Sequence, residues 1–236
     1  MEKERHLILV AGGSGTRMGG NMPKQFMEIG GKAILHHTLE RFIDAVPDIR
    51  VTVVLPDAWK QEWMDYCYRK NLICSQKLVS GGITRFHSVK NALGRVPDGV
   101  LVAVHDGVRP LLSTDMIRRL FSEADMHPAV VPVVPVVDTL KVLDKRTDRD
   151  GQTELVPVPG EKADRSRLFA AQTPQIFWSG ILKKAYSQPY STAFTDDASV
   201  AESSGVEIKY PEGERYNIKI TTPEDMTAAE ALLKIR

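Results

Sequence analysis

Continuous apolar runs alternate with amphipathic segments along the first half of the chain. The apolar runs are typical of strands buried on both faces of a sheet, and they cover residues 7–11, 51–55, 77–79 and 100–104. The segments around them have helical spacing or composition, and they cover residues 34–46, 58–69, 84–96 and 113–124. Short connections between alternating strands and helices predict an α/β fold: a Rossmann-like three-layer sandwich with a mostly parallel central sheet.

The pattern changes after residue 128. Residues 130–137 and 139–143 each predict a strand, and a polar stretch with an Asp150-Gly151 turn signal separates them from an apolar run at 155–158. Two strands around a polar tip predict a β-hairpin arm over about residues 138–165, projecting from the domain. Because an isolated hairpin is barely stable in water, we expect the arm to pack on a second copy of the chain in a homodimer. Near the end, Thr222-Pro223-Glu224-Asp225 predicts a helix start.

Composition narrows the functional classes. The chain has 236 residues with a net charge of +1, so we expect one globular domain over residues 1–236 and no electrostatic footprint for nucleic acid or membrane. Apolar runs are too short for a signal segment or a membrane span, and the two cysteines match no disulfide framework or zinc motif. These features predict a cytoplasmic protein with reduced thiols.

A glycine-rich segment follows the first predicted strand. It reads Ala11-Gly12-Gly13-Ser14-Gly15-Thr16-Arg17-Met18 and is followed by Pro23-Lys24. Glycines let the backbone approach a ligand closely, and two cations in the same stretch favour phosphate as that ligand. The segment lacks the Gly-Lys-Ser/Thr of a Walker loop and the third glycine of a dinucleotide fingerprint. In a parallel sheet, ligands bind beyond the carboxyl ends of the strands, where this segment lies.

Further motifs follow in order along nearly the whole chain. They are Pro23-Lys24-Gln25-Phe26, Val104-His105-Asp106-Gly107-Val108-Arg109-Pro110, Asp138-Thr139, Asp164-Arg165, Gln172-Thr173-Pro174-Gln175, Thr195-Asp196-Asp197-Ala198 and Asn217-Ile218-Lys219-Ile220-Thr221. With the glycine segment, this set resembles the 2-C-methyl-D-erythritol 4-phosphate cytidylyltransferase family of isoprenoid biosynthesis, in its monofunctional form.

The resemblance implies a reaction of CTP with a polyol phosphate that gives a CDP-polyol and pyrophosphate. The attacking phosphate is already a nucleophile at neutral pH, so the protein must position two polyanions and neutralise charge rather than supply a base. Arg17 and Lys24 are the implied catalytic residues, acting on the transition state. A divalent cation, Mg²⁺, is expected on the triphosphate.

The implied nucleotide-binding residues follow three predicted strands. They are Ala11, Gly12, Gly13, Gly15, Gly82, Ser88 and Asp106. Ile83 stands where the family often has an acidic residue, which removes one side-chain contact. Arg85 has two interpretations of equal weight: it either supports the fold or faces the nucleotide. Asp106 is interpreted as a group near the metal or the substrate hydroxyls, with a loop cap as the alternative.

The polyol phosphate needs its own cations and hydroxyls. The resemblance assigns this role to Arg109, Thr139, Arg165, Thr173, Thr195 and Lys219. Thr139 and Arg165 flank the predicted arm, and in the family they enter the partner's site. This arrangement would make the dimer part of the active site.

Two other functions remain open from the sequence. A ribitol-5-phosphate cytidylyltransferase shares the glycine segment, the Lys24 region and Asn-Ile-Lys. A non-catalytic nucleotide-binding regulator would share the fold, although it needs fewer cations at the reacting phosphates. Several other residues are predicted to pack rather than react: His105, the adjacent His36 and His37, and the aromatic residues Trp59, Trp63 and Tyr66.

Overall fold

The computed structural model describes residues 3–13, 22–148 and 150–235. In these ranges the strands are β1 (Arg5–Val10), β2 (Glu28–Ile29), β3 (Lys32–Ala33), β4 (Arg50–Leu55), β5 (Gln76–Ser80), β6 (Leu101–Asp106), β7 (Ala129–Val130), β8 (Val133–Pro135), β9 (Leu143–Thr147), β10 (Thr153–Pro157), β11 (Phe169–Ala171) and β12 (Gln175–Trp178). The α-helices are α1 (Ile34–Ala45), α2 (Lys60–Arg69), α3 (Arg85–Leu93), α4 (Thr114–Ala124), α5 (Ser179–Ala185), α6 (Asp197–Glu202) and α7 (Pro223–Leu233). Short 3-10 helices cover Lys24–Phe26, Asp57–Trp59 and Arg165–Arg167.

A six-stranded central sheet has the order β5-β4-β1-β6-β12-β7. The first four strands are parallel, whereas β12 runs antiparallel to both β6 and β7. The carboxyl ends of β1, β4, β5 and β6 therefore share one edge, as expected for a mostly parallel sheet.

Both faces of this sheet are buried. Leu7 and Leu9 of β1 pack into one hydrophobic cluster with α1 and α4, while Ile8 packs into a second cluster on the opposite face with α3 and α5. Side chains alternate between the faces of a strand, so a continuous apolar run supplies both clusters. This arrangement confirms the predicted three-layer sandwich.

The helix boundaries follow local capping chemistry. Ser113 caps α4 by accepting a hydrogen bond from the Met116 backbone N–H. At α7, Thr222 and Asp225 form a capping box with Pro223 in the first turn, which confirms the predicted helix start. No helix in the described ranges is long and apolar enough to cross a bilayer.

The arm contains the predicted hairpin, but its first strand was misplaced. β9 and β10 pair antiparallel with Thr147 opposite Thr153, and the turn between them contains the predicted Asp150-Gly151 pair. Nearly all of their residues are exposed, so the hairpin projects from the sheet. The prediction of a strand at residues 139–143 was wrong, because the first strand begins only at Leu143.

The predicted single strand at residues 130–137 was also wrong, because the structure divides it into β7 and β8. Pro132 separates the two and has no N–H to donate to a ladder. On either side of it, the backbone N–H groups of Val131 and Val133 donate to the carbonyls of Lys209 and Pro211. The segment around residues 209–211 thus pairs with the backbone on both sides of Pro132, as a neighbouring strand would.

Candidate functional site

A cleft of about 560 Å³ lies at the carboxyl edge of the parallel strands. It contains most of the predicted nucleotide residues and two of the predicted cations in one place. The lining residues are Val10, Ala11, Gly12, Gly13, Lys24, Gln25, Gly82, Ile83, Thr84, Arg85, Ser88, Asp106, Val108 and Lys219. Strand ends that are far apart in sequence meet here because the parallel strands are adjacent.

The start of the glycine segment is anchored by the buried side chain of Gln25. Its Nε2 atom donates to the carbonyl oxygen of Ala11 over 2.6 Å and to that of Gly13 over 3.4 Å. The Ala11 N–H donates in turn to the Val54 carbonyl of β4. This anchoring holds the backbone over the end of the sheet before any ligand binds.

The second glycine segment is held against the first turn of α3. Ser88 is buried; its hydroxyl donates to the Thr84 carbonyl and accepts from the Gly82 N–H, each over 3.0 Å. A Cβ atom on Gly82 would lie 2.4 Å from the Cβ atom of His87, so only glycine fits there. Ser88 therefore shapes this wall of the cleft from within.

Three cations surround the carboxylate of Asp106 at the base of the cleft. Its Oδ2 atom lies 3.2 Å from Nε of Arg109 and 3.1 Å from Nζ of Lys219, and its Oδ1 atom lies 3.8 Å from Nε of Arg85. Burial opposes ionisation, but the three cations hold the pKa of Asp106 well below its ordinary value. The carboxylate is thus charged and fixes the directions of the cations around it.

A buried hydrogen-bonded layer supports Asp106 from behind. The Asp106 N–H donates to Oγ1 of Thr173, which lies 3.0 Å from Nδ1 of His105, while Nε2 of His105 lies 3.2 Å from the Arg109 carbonyl oxygen. Since that carbonyl can only accept, we assign the His105 proton to Nε2, and the Thr173 hydroxyl then donates to Nδ1. Burial lowers the pKa of His105 to about 3, so the imidazole stays neutral. This confirms that His105 is a packed, hydrogen-bonded residue.

The predicted residues fall into four groups according to where they lie relative to the cleft. Ala11, Gly12, Gly13, Lys24, Gly82, Ser88, Asp106 and Lys219 line the cleft together. Arg109 and Thr173 lie beside or beneath it: Arg109 is largely buried and also donates to the Asn217 carbonyl over 2.8 Å, and the Thr173 hydroxyl is engaged as described above. Arg17 and Gly15 lie outside the described residues.

The residues of the arm lie outside the lining of this cleft. Thr139 is exposed in a segment without regular structure, and Arg165 donates from Nη1 to the Val137 carbonyl over 2.8 Å at the base of the arm. Thr195 is also absent from the lining, and its N–H donates to Oγ of Ser199 beside α6. Within one chain, therefore, none of these three residues lines the cleft.

Sequence reasoning missed Gln25 and left Arg85 undecided. Gln25 lies in a segment quoted for the resemblance, and its position beside Lys24 was the available signal. Arg85 lines the cleft and donates from Nη2 to Oδ2 of Asp197 over 2.6 Å. That partner lies 112 residues away, so no local pattern indicates the pair.

The described residues contain no cluster of three or more His, Cys, Asp or Glu side chains that could cage a metal ion. Both oxygens of Asp106 already face cations. Mg²⁺ commonly keeps waters and is bound mainly through substrate phosphates. These residues thus fit an ion that is carried by a triphosphate better than one held by a dedicated site.

Known proteins resemble this chain over almost its whole length. The sequence profile for 2-C-methyl-D-erythritol 4-phosphate cytidylyltransferase matches residues 5–235. A protein of that name from Bacteroides thetaiotaomicron is 44% identical over 98% of this chain and 100% of its own length. Another, from Porphyromonas gingivalis strain W83, is 44% identical over 99% of both chains.

A solved structure extends the resemblance to the fold. The 4-diphosphocytidyl-2C-methyl-D-erythritol synthase of Anaerococcus prevotii superposes with a TM-score of 0.77 at 27% identity, covering 98% of this chain and 96% of the other. The arrangement of strands and helices around the cleft is therefore shared with a solved relative.

Proposed function

This chain belongs to the 2-C-methyl-D-erythritol 4-phosphate cytidylyltransferase family, and we propose that it joins CTP to 2-C-methyl-D-erythritol 4-phosphate. The products are CDP-methylerythritol and pyrophosphate. The observation that supports this function is the single cleft in which two glycine segments lie beside Lys24, Asp106 and Lys219. The names of the relatives favour this polyol over ribitol 5-phosphate, and catalysis over regulation.

The reaction is an in-line displacement at the α-phosphorus of CTP. An oxygen of the methylerythritol phosphate forms the new P–O bond, and pyrophosphate leaves with the electrons of the bond that breaks. Charge builds on the oxygens of the pentavalent centre, so cations fixed beside that centre lower the barrier. Lys24 lines the cleft beside the glycine segment and suits this role, together with Arg17 by resemblance.

The nucleotide is bound mainly by backbone groups. The Gly12-Gly13 and Gly82 segments leave room for close approach, and their shapes are fixed by Gln25 and Ser88. Close contact of backbone groups with the base favours a pyrimidine, which is smaller than a purine. The exposed Ile83 at the edge of the cleft adds apolar surface rather than a polar contact.

Lys219 orients the attacking phosphate. Its side chain is about two-fifths exposed and its ammonium group is held by Asp106, so it presents a fixed charge to the cleft. Arg109 and Thr173 support this arrangement through Asp106. Mg²⁺, entering with CTP, would neutralise part of the triphosphate charge.

The projecting hairpin supports a homodimer in which Thr139 and Arg165 complete the partner's site. Both residues lie at the base of the arm and outside the cleft of their own chain. Exposed apolar side chains on or beside the arm, including Leu143, Leu155 and Phe169, provide surface for a second copy.

A pyrophosphate-release assay tests the proposed reaction. We expect release with CTP plus methylerythritol phosphate and Mg²⁺, and much slower release with ribitol 5-phosphate, GTP or ATP. Mass spectrometry should identify CDP-methylerythritol as the nucleotide product. Equal turnover of both polyol phosphates would contradict the substrate, and equal release with GTP would contradict the nucleotide. A reaction mixture without the protein measures the background.

A further inference from the structure

Arg85 bridges two carboxylates that come from distant parts of the chain. Its Nη2 atom donates to Oδ2 of Asp197 over 2.6 Å, and its Nε atom lies 3.8 Å from Oδ1 of Asp106. Arg85 is the first residue of α3, whereas Asp197 is the first residue of α6. One guanidinium group thus connects the bottom of the cleft to the start of α6.

The Asp197 end of this link is rigid. Its side chain is fully buried, and its second oxygen accepts a 2.6 Å hydrogen bond from the Tyr186 hydroxyl. Burial, reinforced by the charge of Asp197, raises the pKa of Tyr186, so the phenol remains a neutral donor. A buried carboxylate without its cationic partner is strongly unfavourable, so Asp197 fixes where Arg85 can lie.

Both carboxylates that Arg85 contacts lie near residues assigned to the polyol phosphate. Asp106 at one end contacts Lys219, and Asp197 at the other end lies two residues after Thr195. The nucleotide wall has separate supports, since Ser88 and Gln25 hold Gly82 and Ala11 by their own hydrogen bonds. None of those bonds involves Arg85.

We propose that Arg85 is a positioning residue, which holds the Asp106–Lys219 pair and the segment from Thr195 to Asp197 in the one arrangement that accepts the polyol phosphate. The proposal rests on the proposed function. It predicts that disturbing the Arg85–Asp197 pair weakens use of the polyol phosphate while leaving the affinity for CTP nearly intact. The several N–H donors of a guanidinium group can contact both carboxylates at once, whereas a lysine ammonium group is a point charge that cannot reach both in the same geometry.

The test compares Arg85→Lys, Asp197→Asn and the double variant with the wild-type enzyme. We expect each single variant to raise KM for methylerythritol phosphate about tenfold, the size of one charge-assisted contact. The calorimetric Kd of CTP alone should stay within about threefold. Because the two residues act as one unit, the double variant should resemble either single variant. Arg118→Lys is the matched control, since Arg118 donates to the Asp44 and Ala45 carbonyls away from the cleft.

Three outcomes would overturn the proposal. Unchanged kinetics with a lower melting temperature would make Arg85 purely structural. A raised Kd for CTP with an unchanged polyol KM would make it a nucleotide contact. Effects that add in the double variant would mean that the two residues act independently. Failure of the proposed function itself is distinguishable, because the wild-type enzyme would then give no pyrophosphate release with methylerythritol phosphate.

Discussion

The ammonium nitrogen of Lys219 lies 3.1 Å from Oδ2 of Asp106, which joins the end of β6 to the segment that precedes α7. The carboxylate holds the cation in place but does not neutralise the cleft, since Arg85 and Arg109 also face Asp106. The three cations outnumber the two carboxylates of Asp106 and Asp197, so the bottom of the cleft carries an excess of positive charge. Such a charge suits a site in which two phosphate groups must approach each other.

Removing Lys219 should therefore affect the polyol phosphate before the nucleotide. We expect Lys219→Met to lower kcat/KM for methylerythritol phosphate about 10- to 100-fold, the cost of one hydrogen bond to a charged group. The Kd of CTP should change little. Lys183→Met is the control, because Lys183 forms a similar ion pair with Asp98 away from the cleft. If the Lys219→Met variant bound CTP poorly but kept its KM for the polyol phosphate, Lys219 would be a nucleotide contact instead.

Lys24 and Arg17 should act mainly on the transition state. Loss of one preorganised donor typically costs about 10²- to 10³-fold in kcat, so Lys24→Ala and Arg17→Ala should show that loss with a much smaller change in CTP affinity. Single-turnover kinetics separate the two quantities. Lys77→Ala, at an exposed lysine of β5, controls for loss of charge alone. Near-normal kcat with a raised KM for CTP would make both residues simple binding groups.

Two adjacent glycines offer a matched test of the nucleotide wall. A Cβ atom at Gly82 would lie 2.4 Å from the Cβ atom of His87, whereas one at Gly81 would have its nearest neighbour at 3.6 Å. Gly82→Ala must displace the first turn of α3, and we expect about 1–3 kcal/mol of lost stability. The KM for CTP should rise as well. Gly81→Ala should change the stability and the KM for CTP far less. Unfolding and steady-state assays measure the two quantities. Equal effects of the two substitutions would mean that steric fit does not shape this wall.

The arm is tested by removing its tip. A chain without residues 144–160 should lose dimerisation and polyol-phosphate binding together, whereas CTP should still bind in the cleft of the sheet. Sedimentation and calorimetry measure these three properties. A monomeric variant with normal polyol binding would contradict a shared site.

Subunit mixing tests the same site without a deletion. Arg165→Ala and Lys219→Ala protomers should each be nearly inactive alone. After exchange, a heterodimer would contain one site with both defects and one intact site, so activity should recover toward half of the wild-type value per heterodimer. If exchange is proven and no activity returns, Arg165 serves its own subunit.

Buried histidines should make the fold sensitive to mild acid. Burial lowers the pKa of His6, His36, His37 and His105, the last to about 3. Below about pH 6.5 the unfolded chain binds protons that the folded chain does not, so stability is fully present above that pH and is lost as the pH falls toward the folded pKa. At about pH 5.5, His105 alone should lower the free energy of unfolding by about 1.4 kcal/mol relative to its value at neutral pH.

Denaturant unfolding at about pH 7.5 and about pH 5.5 measures this loss, and His105→Gln isolates the share of His105. The variant need not be as stable as the wild type, because the comparison uses the change with pH. We expect that change to shrink by about the amount given above. An unchanged pH dependence would show that His105 does not remain neutral in the folded protein.

The parts of the fold that follow local rules were predictable from the sequence. Apolar runs indicated β1, β4 and β6, and the segment Thr222-Pro223-Glu224-Asp225 indicated the start of α7. By contrast, β12 was missed because it is only four residues long and its place between β6 and β7 depends on distant pairing. The split between β7 and β8 likewise depends on backbone groups near residues 209–211.

The candidate site divides in the same way. The glycine segments and Lys24 stand out in the sequence because their composition is itself the signal. The buried residues that support the cleft do not stand out in this way: nothing in the sequence indicates that the Thr173 hydroxyl lies under Asp106 and bonds to His105. Which atom a hydroxyl faces depends on packing, which one sequence does not display.

The cleft draws its lining from Val10 to Lys219, and this span has a consequence for how the protein acquires its activity. During synthesis, the glycine segment emerges early, but Lys219, which lines the same cleft, emerges only after more than two hundred further residues. Pairing of β1 with β6 and of β6 with β12 must also wait for distant segments. The complete site is therefore a property of the nearly finished chain, and CTP, by binding the folded chain and not the unfolded one, should favour completion of folding by mass action.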